Sequence, residues 1–368
     1  MDFFQRQENA RRRTRWLVAY FIGGILGLAS TFYIVSLSPY FYAHPEAVGS
    51  FWHPNLFQWV VGITLTLIAL GSLSKLITLR KGGKAIALAL GGRLSTAPAT
   101  DPHERQLQNI VEEMSIASGV PVPPIYVLDR EPAINAFAAG FRPEDAVIGV
   151  TSGAMQFLTR DELQGIIAHE FSHILNGDIR LNLRLVSWLH GILWIALVGH
   201  GFLEGARRCV PWNSEADDLK KAGLGFFFIG SFMGTIIYGL GSAGAFFARL
   251  IKSAVARQRE FLADAAAVQF TRNPIGLANA LKKIGGFAHG SRLQSPVAEE
   301  ASHMFFGNGT RSSWFGLFST HPSLKKRIKR LDPTFDGRFA PLTLPVTLAK
   351  PPPVIPPPIP PPPPIPNV

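Results

Sequence analysis

Four apolar stretches, each about as long as a bilayer is thick, constrain this chain more than any other feature. An α-helix needs roughly 20 mostly apolar residues to cross the ~30 Å hydrocarbon layer, and inside it every backbone polar group must be satisfied within the segment. Residues 16–37 carry no charge, and Trp16 and Tyr33 are aromatics suited to the interface. Residues 57–79 contain only Lys75, close enough to the end to snorkel. Residues 185–203 hold His190 and His200 but no permanent charge, and residues 224–247 are rich in glycine, which lets another helix approach closely. The first stretch is too long for a signal sequence and no small-x-small site follows it, so it reads as an uncleaved anchor. The third is short enough to suit a buried helix of a soluble core as well; it is read as a span.

Composition agrees. Apolar residues make up 47% of 368 and charged residues only 17%, which excludes disorder for most of the chain and does not suit a purely soluble enzyme. The single cysteine, Cys209, excludes a disulfide scaffold and a Cys-rich zinc finger. A net charge of +11 invites a nucleic-acid reading, but the location of the charges argues against it. Arg6, Arg11, Arg12, Arg13 and Arg15 precede the first span; Arg80, Lys81 and Lys84 follow the second; Arg249, Lys252, Arg257 and Arg259 follow the fourth. Basic clusters abutting spans mark the side that is not translocated, and no aromatics interleave with them as nucleic-acid binding would need. Loop 38–56 has Glu46 and no Lys or Arg, and loop 204–223 is balanced in charge. Two membrane hairpins therefore return the N-terminus, residues 80–184 and residues 248–368 to the cytoplasmic side.

Between the hairpins the chain reads as α+β. Residues 102–117 have helical spacing at Leu107, Ile110, Val111 and Met114, and residues 125–128 form a β-branched run. Residues 133–141 and 146–151 read as a hairpin around Arg142-Pro143-Glu144-Asp145. A further helix covers residues 160–176, with Asp161 and Glu162 where its dipole favours carboxylates. The expected organisation is an anchor at 1–84 with spans at 16–37 and 57–79, then a first catalytic part at 85–184. A transmembrane hairpin at 185–247 (spans 185–203 and 224–247) and a second catalytic part at 248–345 follow. Residues 346–368 form a proline-rich tail that cannot build a core and suits polyproline II.

The chemistry lies in Ala168-His169-Glu170-Phe171-Ser172-His173. Positions four apart share a helix face, so His169 and His173 converge on one ion, and Glu170 lies beside it, placed to take a proton from an attacking water. The flanks, Gly165-Ile166-Ile167 and Ile174-Leu175, are apolar, and buried ionisable groups need a partner that a metal supplies. A third ligand is needed. Just after the fourth span, Glu260 and Asp264 stand four apart on a helix; Glu260 completes a His₂Glu set suited to Zn²⁺, and Asp264 suits an acceptor that orients a ligand imidazole. The same residues also read as an ordinary solvated acidic pair, and manganese or cobalt fits the same ligands.

The HExxH string, Asn176-Gly177-Asp178, a membrane hairpin and then Arg257-Gln258-Arg259-Glu260-Phe261-Leu262-Ala263-Asp264 together resemble the HtpX-type integral-membrane zinc metalloproteases, relatives of the CAAX prenyl endoproteases in the gluzincin clan. The resemblance covers residues 100–335 and the general layout of the first two spans. It implies one Zn²⁺ per chain on His169, His173 and Glu260, with Asp264 and Asp178 supporting the ligands. Ile134-Asn135-Ala136-Phe137-Ala138-Ala139-Gly140 is similar to a family run that forms an edge strand beside the metal, which implies substrate binding at Asn135, Ala136 and Phe137 by β-addition. Ala301-Ser302-His303-Met304-Phe305-Phe306 resembles a second family segment, and His303 is expected to be structural. Ser319-Thr320-His321-Pro322 with Arg327 resembles a third, which implies that His321 and Arg327 act catalytically by donating to an oxyanion.

The expected fold is thus a helical membrane protein with about four transmembrane helices and a gluzincin-like α+β protease domain. The expected activity is that of a zinc endopeptidase, multi-pass in the cell (inner) membrane with its site on the cytoplasmic side. Its partners are the lipid bilayer and polypeptide substrates, chiefly misfolded membrane proteins under stress, and not nucleic acid. Residues 351–366 offer a polyproline-binding partner a docking segment. The alternative is an inactive membrane scaffold with a structural metal, but such a site should be closed by four protein ligands and only three are evident. A transporter reading rests on His190 and His200 alone, and four spans are few for it.

Overall fold

The computed structural model of the protein describes residues 3–79, 82–208, 217–287, 291, 293, 305–306 and 318–341. Helix α1 (Phe3–Ala43) is longer than the span it contains, because the arginine-rich start continues in the same helix. Its first turns lie against later parts of the chain: Gln7 Nε2 donates to Gln269 Oε1 at 2.8 Å, and Arg11 Nη2 donates to Asn176 Oδ1 at 3.0 Å. Helix α2 (Pro54–Leu79) returns beside it. Tyr33 ties the turn between them, its hydroxyl donating to Phe51 O at 2.7 Å and accepting from His53 N at 2.9 Å. Ile34 and Trp59 stay 64% and 72% exposed, as lipid-facing side chains must.

Helix α3 (Gly82–Ala89) leads into the α+β part of the chain, which runs β1 (Arg93–Leu94), α4 (Pro102–Ser118), β2 (Ile125–Leu128), β3 (Ala136–Ala139), β4 (Val147–Thr151), α5 (Ser152–Phe157) and α6 (Arg160–Leu175). The four strands form one sheet in the order β1-β2-β4-β3, with β2 and β4 parallel and the other pairs antiparallel. Local chemistry sets the helix ends. Asp101 accepts from Glu104 N at the start of α4, and Gly119 closes that helix with φ at 73°. Thr159 and Glu162 form a reciprocal capping box on α6. Leu107, Ile110 and Val111 of α4, Ile148 and Val150 of β4, and Ile166, Ile167 and Phe171 of α6 meet in one buried core. Each such side chain contributes roughly 1.5–3 kcal/mol on burial, which anchors α6 and leaves its opposite face for the site.

Helix α7 (Asp178–Arg208) runs along α2 and α8 (Asp217–Thr271). Glycine permits the close α7–α8 contact: a Cβ on Gly199 would stand 2.3 Å from Tyr238 N, and one on Gly241 2.5 Å from Ala196 N. Helix α8 is 55 residues long and carries both the fourth span and the Glu260–Asp264 turn. Nothing between residues 248 and 264 breaks a helix, so no joint separates membrane from site. The domain boundaries expected at 184/185 and 247/248 consequently fall inside α7 and α8. Helix α9 (Pro274–Gly286), capped by Asn273, and α10 (Leu324–Leu331) complete the described fold. Cys209, His303 and the tail 351–366 lie outside the described residues.

Candidate metal centre

His169 and His173 stand one turn apart on α6, and their Nε2 atoms approach to 3.1 Å. From α8, Glu260 brings Oε2 to 3.7 Å of His169 Nε2 and Oε1 to 3.5 Å of His173 Nε2. One ligand atom from each of the three lies within 4.8 Å of the other two. The opposite ring nitrogens are held by carboxylates: Asp264 Oδ1 is 3.0 Å from His169 Nδ1, and Asp178 Oδ2 is 2.8 Å from His173 Nδ1. A carboxylate on Nδ1 keeps the proton there and aims the Nε2 lone pair at the shared point. Two lone pairs facing each other beside a carboxylate are stabilised by a common cation, and two imidazoles with one carboxylate suit zinc. The donor set fits such an ion.

Electrostatics agree with that arrangement. Burial pushes the His169 imidazole down to about 4 against the pull of Asp264, favouring the neutral ring that a metal needs. Burial pushes the Glu170 carboxyl up to about 7. Neither Glu170 oxygen meets a side-chain donor, although the residue is 1% exposed, and the Ala138 backbone N–H is the group that favours its ionised form from β3. A buried carboxylate without a side-chain donor costs about 1–3 kcal/mol or more, and such groups concentrate where chemistry is done. Glu170 lines one cleft with His173, Glu260, His321 and Ala138.

His321 and Arg327, both expected to face an oxyanion, occupy different places. His321 lines the cleft with Nδ1 3.0 Å from Glu260 Oε2, and neither ring nitrogen is in hydrogen-bonding geometry. Arg257 Nη1, donating to Ser319 O at 2.8 Å, and Ser253 Oγ, donating to Phe318 O at 3.0 Å, tie its loop to α8. Arg327 is fully buried behind the ligands. Its Nε and Nη2 donate to Asp264 at 3.0 and 2.7 Å, Nη1 donates to Phe306 O at 3.1 Å, and the guanidinium covers the Phe306 ring. Its Nη1 also stands 3.2 Å from Glu260 Oε2, so the guanidinium backs both His169 and Glu260 without lining the cleft itself, and its contacts here are with the ligands and their supports.

The edge strand also differs in detail from expectation. Thr151 N donates to Asn135 O, so in this antiparallel pair residues 135, 137 and 139 turn their backbone groups towards β4 while 136 and 138 turn theirs outward. Ala136 O already accepts from Phe306 N at 2.8 Å. Asn135 is fully buried, its Nδ2 donating to Ser291 O and its Oδ1 accepting from Ala136 N. Phe137 is buried over Gly149 and meets Phe305 edge-on. Of the expected trio, none presents an open backbone group on the described surface. Ala138, which lines the cleft, is the next outward-facing residue and went unnoticed in the sequence.

Two more contributors were missed. Phe306 packs edge-on against His169, with ring centroids 4.8 Å apart. Arg259 pairs with Asp178 Oδ1 and donates to Asn176 O at 3.0 Å, so it steadies the carboxylate behind His173. Its position next to Glu260 was the available signal. For Phe306 the signal was its place in the 301–306 segment that resembles a family run, although contact across more than a hundred residues leaves no local pattern to say what it touches.

A family model described as Peptidase family M48 matches residues 101–334. A protein named Protease HtpX homolog from Caldanaerobacter subterraneus subsp. tengcongensis is 37% identical over 287 residues, 77% of this chain and 89% of its own length. Homologues of the same name from Thermoanaerobacter pseudethanolicus and Ligilactobacillus salivarius are 38% and 32% identical over 295 and 334 residues. They cover 77% and 89% of this chain, and 89% and 99% of their own. The crystal structure of S. mikatae Ste24p superposes with a TM-score of 0.42 at 19% identity, over 89% of this chain and 66% of that one.

Proposed function

Since this chain belongs to peptidase family M48 and is a membrane metalloprotease, we propose that its ion is Zn²⁺, held by His169, His173 and Glu260, with Glu170 as the proton-transfer residue. The convergence of those three ligand atoms beside a buried carboxylate without a side-chain donor carries this reading. Bound there, zinc supplies a Lewis acid for the scissile carbonyl. Glu170 takes the proton from the attacking water and passes it to the leaving amine nitrogen, a role worth typically 10²–10⁴ in rate. His321, on the cleft wall, donates to the developing oxyanion, where one preorganised donor contributes about 3 kcal/mol. Asp264, Asp178, Arg259 and Arg327 act as positioning residues by fixing the two imidazoles. Ala138 aligns the substrate backbone by pairing with it, and Phe305 bounds the cleft beside it.

The site is assembled from residues 85–184 and 248–345 on either side of the 185–247 hairpin. Loop charge supports the cytoplasmic face, and a site joined directly to spans supports substrates that are themselves membrane proteins, misfolded or unassembled ones in particular. The composition of residues 351–366 supports a polyproline-reading partner.

Purified wild type and Glu170→Gln, analysed for metal and incubated with an unfolded protein substrate, test the assignment. One zinc per chain in both with cleavage by wild type alone is expected. A wild type that binds no stoichiometric metal after careful purification sinks the ligand set.

A further inference from the structure

The cleft that holds Glu170 and His321 extends past the ligands between α7 and α8. Val255, Ala256 and Arg259 continue one wall along α8 and Leu181, Asn182 and Leu185 form the facing wall on α7, with Lys252 at the far end. Arg259 is answered by Asp178. Lys252 is partly buried and, among the described residues, no hydrogen bond or ion pair reaches its ammonium. A cation at the end of a largely apolar trough attracts an anion more strongly than one in open water, because the effective dielectric is lower.

We propose that Lys252 is a specificity residue that receives a carboxylate of the substrate; this rests on the peptidase reading above. The distance limits where that carboxylate sits. Lys252 precedes Glu260 by eight residues of one helix, about 12 Å along the axis. The lysine side chain is roughly 6 Å long, and side chains on a helix lean towards its N-terminus, here away from Glu260. The ammonium therefore stands on the order of 12–18 Å from the Glu260 level, about four to five residues of extended peptide at ~3.3 Å each. The site therefore favours an acidic side chain, or a chain terminus, about four to five residues from the cleaved bond. The competing role for a lysine at the foot of a span is to snorkel to lipid headgroups, which makes no demand on the substrate.

The test uses the full-length, zinc-loaded protein in detergent and a peptide set in which single positions around the cleaved bond carry Glu or Gln. A second arm compares a free C-terminal carboxylate with its amide, which separates the two sources. Wild type should favour the acidic member by about tenfold in kcat/KM at one position or at the terminus, the size expected of a half-desolvated ion pair. Lys252→Met should erase that ratio, and Lys252→Glu should turn the preference towards a Lys-bearing peptide. Equal ratios in all three proteins overturn the inference. An unfolded protein substrate runs in parallel: wild type that cleaves neither it nor any peptide overturns the peptidase reading, and this inference with it.

Discussion

Arg327 grips Asp264 through two bonds, Nε to Oδ2 at 3.0 Å and Nη2 to Oδ1 at 2.7 Å, and the same carboxylate lies 3.0 Å from His169 Nδ1. Arg327, Asp264 and His169 thus form a chain from the core to the ligand atom. Burial alone would lower the Arg327 pKa, but Asp264 and Glu260 hold it above its ordinary range. Arg327→Met should leave Asp264 buried without its counter-charge, with only His169 Nδ1 as a partner, costing about 3–5 kcal/mol of stability. Loss of an outer partner of this kind lowers metal affinity about 10–100-fold, which competition with a chromogenic chelator reads directly. Arg327→Lys, which keeps the charge, should recover part of that affinity. Unchanged zinc affinity with slowed turnover would instead put Arg327 in contact with substrate.

Ala138 turns its backbone outward to the cleft, its N–H towards the Glu170 carboxylate, while Phe137 and Ala139 make the ladder bonds to β4. Ala138→Pro removes that donor without breaking the ladder, and Phe137 is already extended as a residue before proline must be. A single hydrogen bond of 0.5–1.5 kcal/mol predicts a loss of about 3–10-fold in kcat/KM with zinc content unchanged. Full activity in the proline variant would show that substrate pairs elsewhere.

The α7–α8 contact predicts a contrast among glycines. Gly199→Val and Gly241→Val force a side chain into backbone atoms of the facing helix and should destabilise by at least about 1–3 kcal/mol. Gly201, on the same helix as Gly199, faces open space. Gly201→Ala should be neutral or gain up to about 1 kcal/mol from helix propensity. Unfolding midpoints in detergent distinguish the two classes; equal effects at all three positions would contradict the packing.

Away from the metal centre, Lys282 Nζ donates to Asp332 Oδ2 at 2.8 Å, and with Thr334 it holds the Asp332 carboxyl down at about 2. A folded pKa below the unfolded value near 3.9 means that the pair stabilises above that value and the contribution is lost as pH falls towards 2. Wild type should therefore exceed Asp332→Asn in unfolding temperature at pH 5, with the gap closing between about pH 4 and pH 2. A gap that stays constant across that range would remove the linkage.

Much of this protein was legible in its sequence, because the physics involved is local. The spans follow from segment length against bilayer thickness, and no partner is needed to recognise them. His169 and His173 share a face because a helix repeats every 3.6 residues, and the Thr159–Glu162 cap lies within one turn. Glu260 was found because its neighbours form a motif. Tertiary structure decided the rest. Which residues of β3 face outward depends on register with β4, and a shift of one residue would exchange Ala138 for Phe137. Whether an arginine enters the cleft or backs a ligand depends on what surrounds it: Phe306 and Asp264, 21 and 63 residues away, draw Arg327 behind His169. A helix period and a bilayer thickness are properties of a segment, whereas the placement of a buried charge is set by whichever distant groups compensate its desolvation.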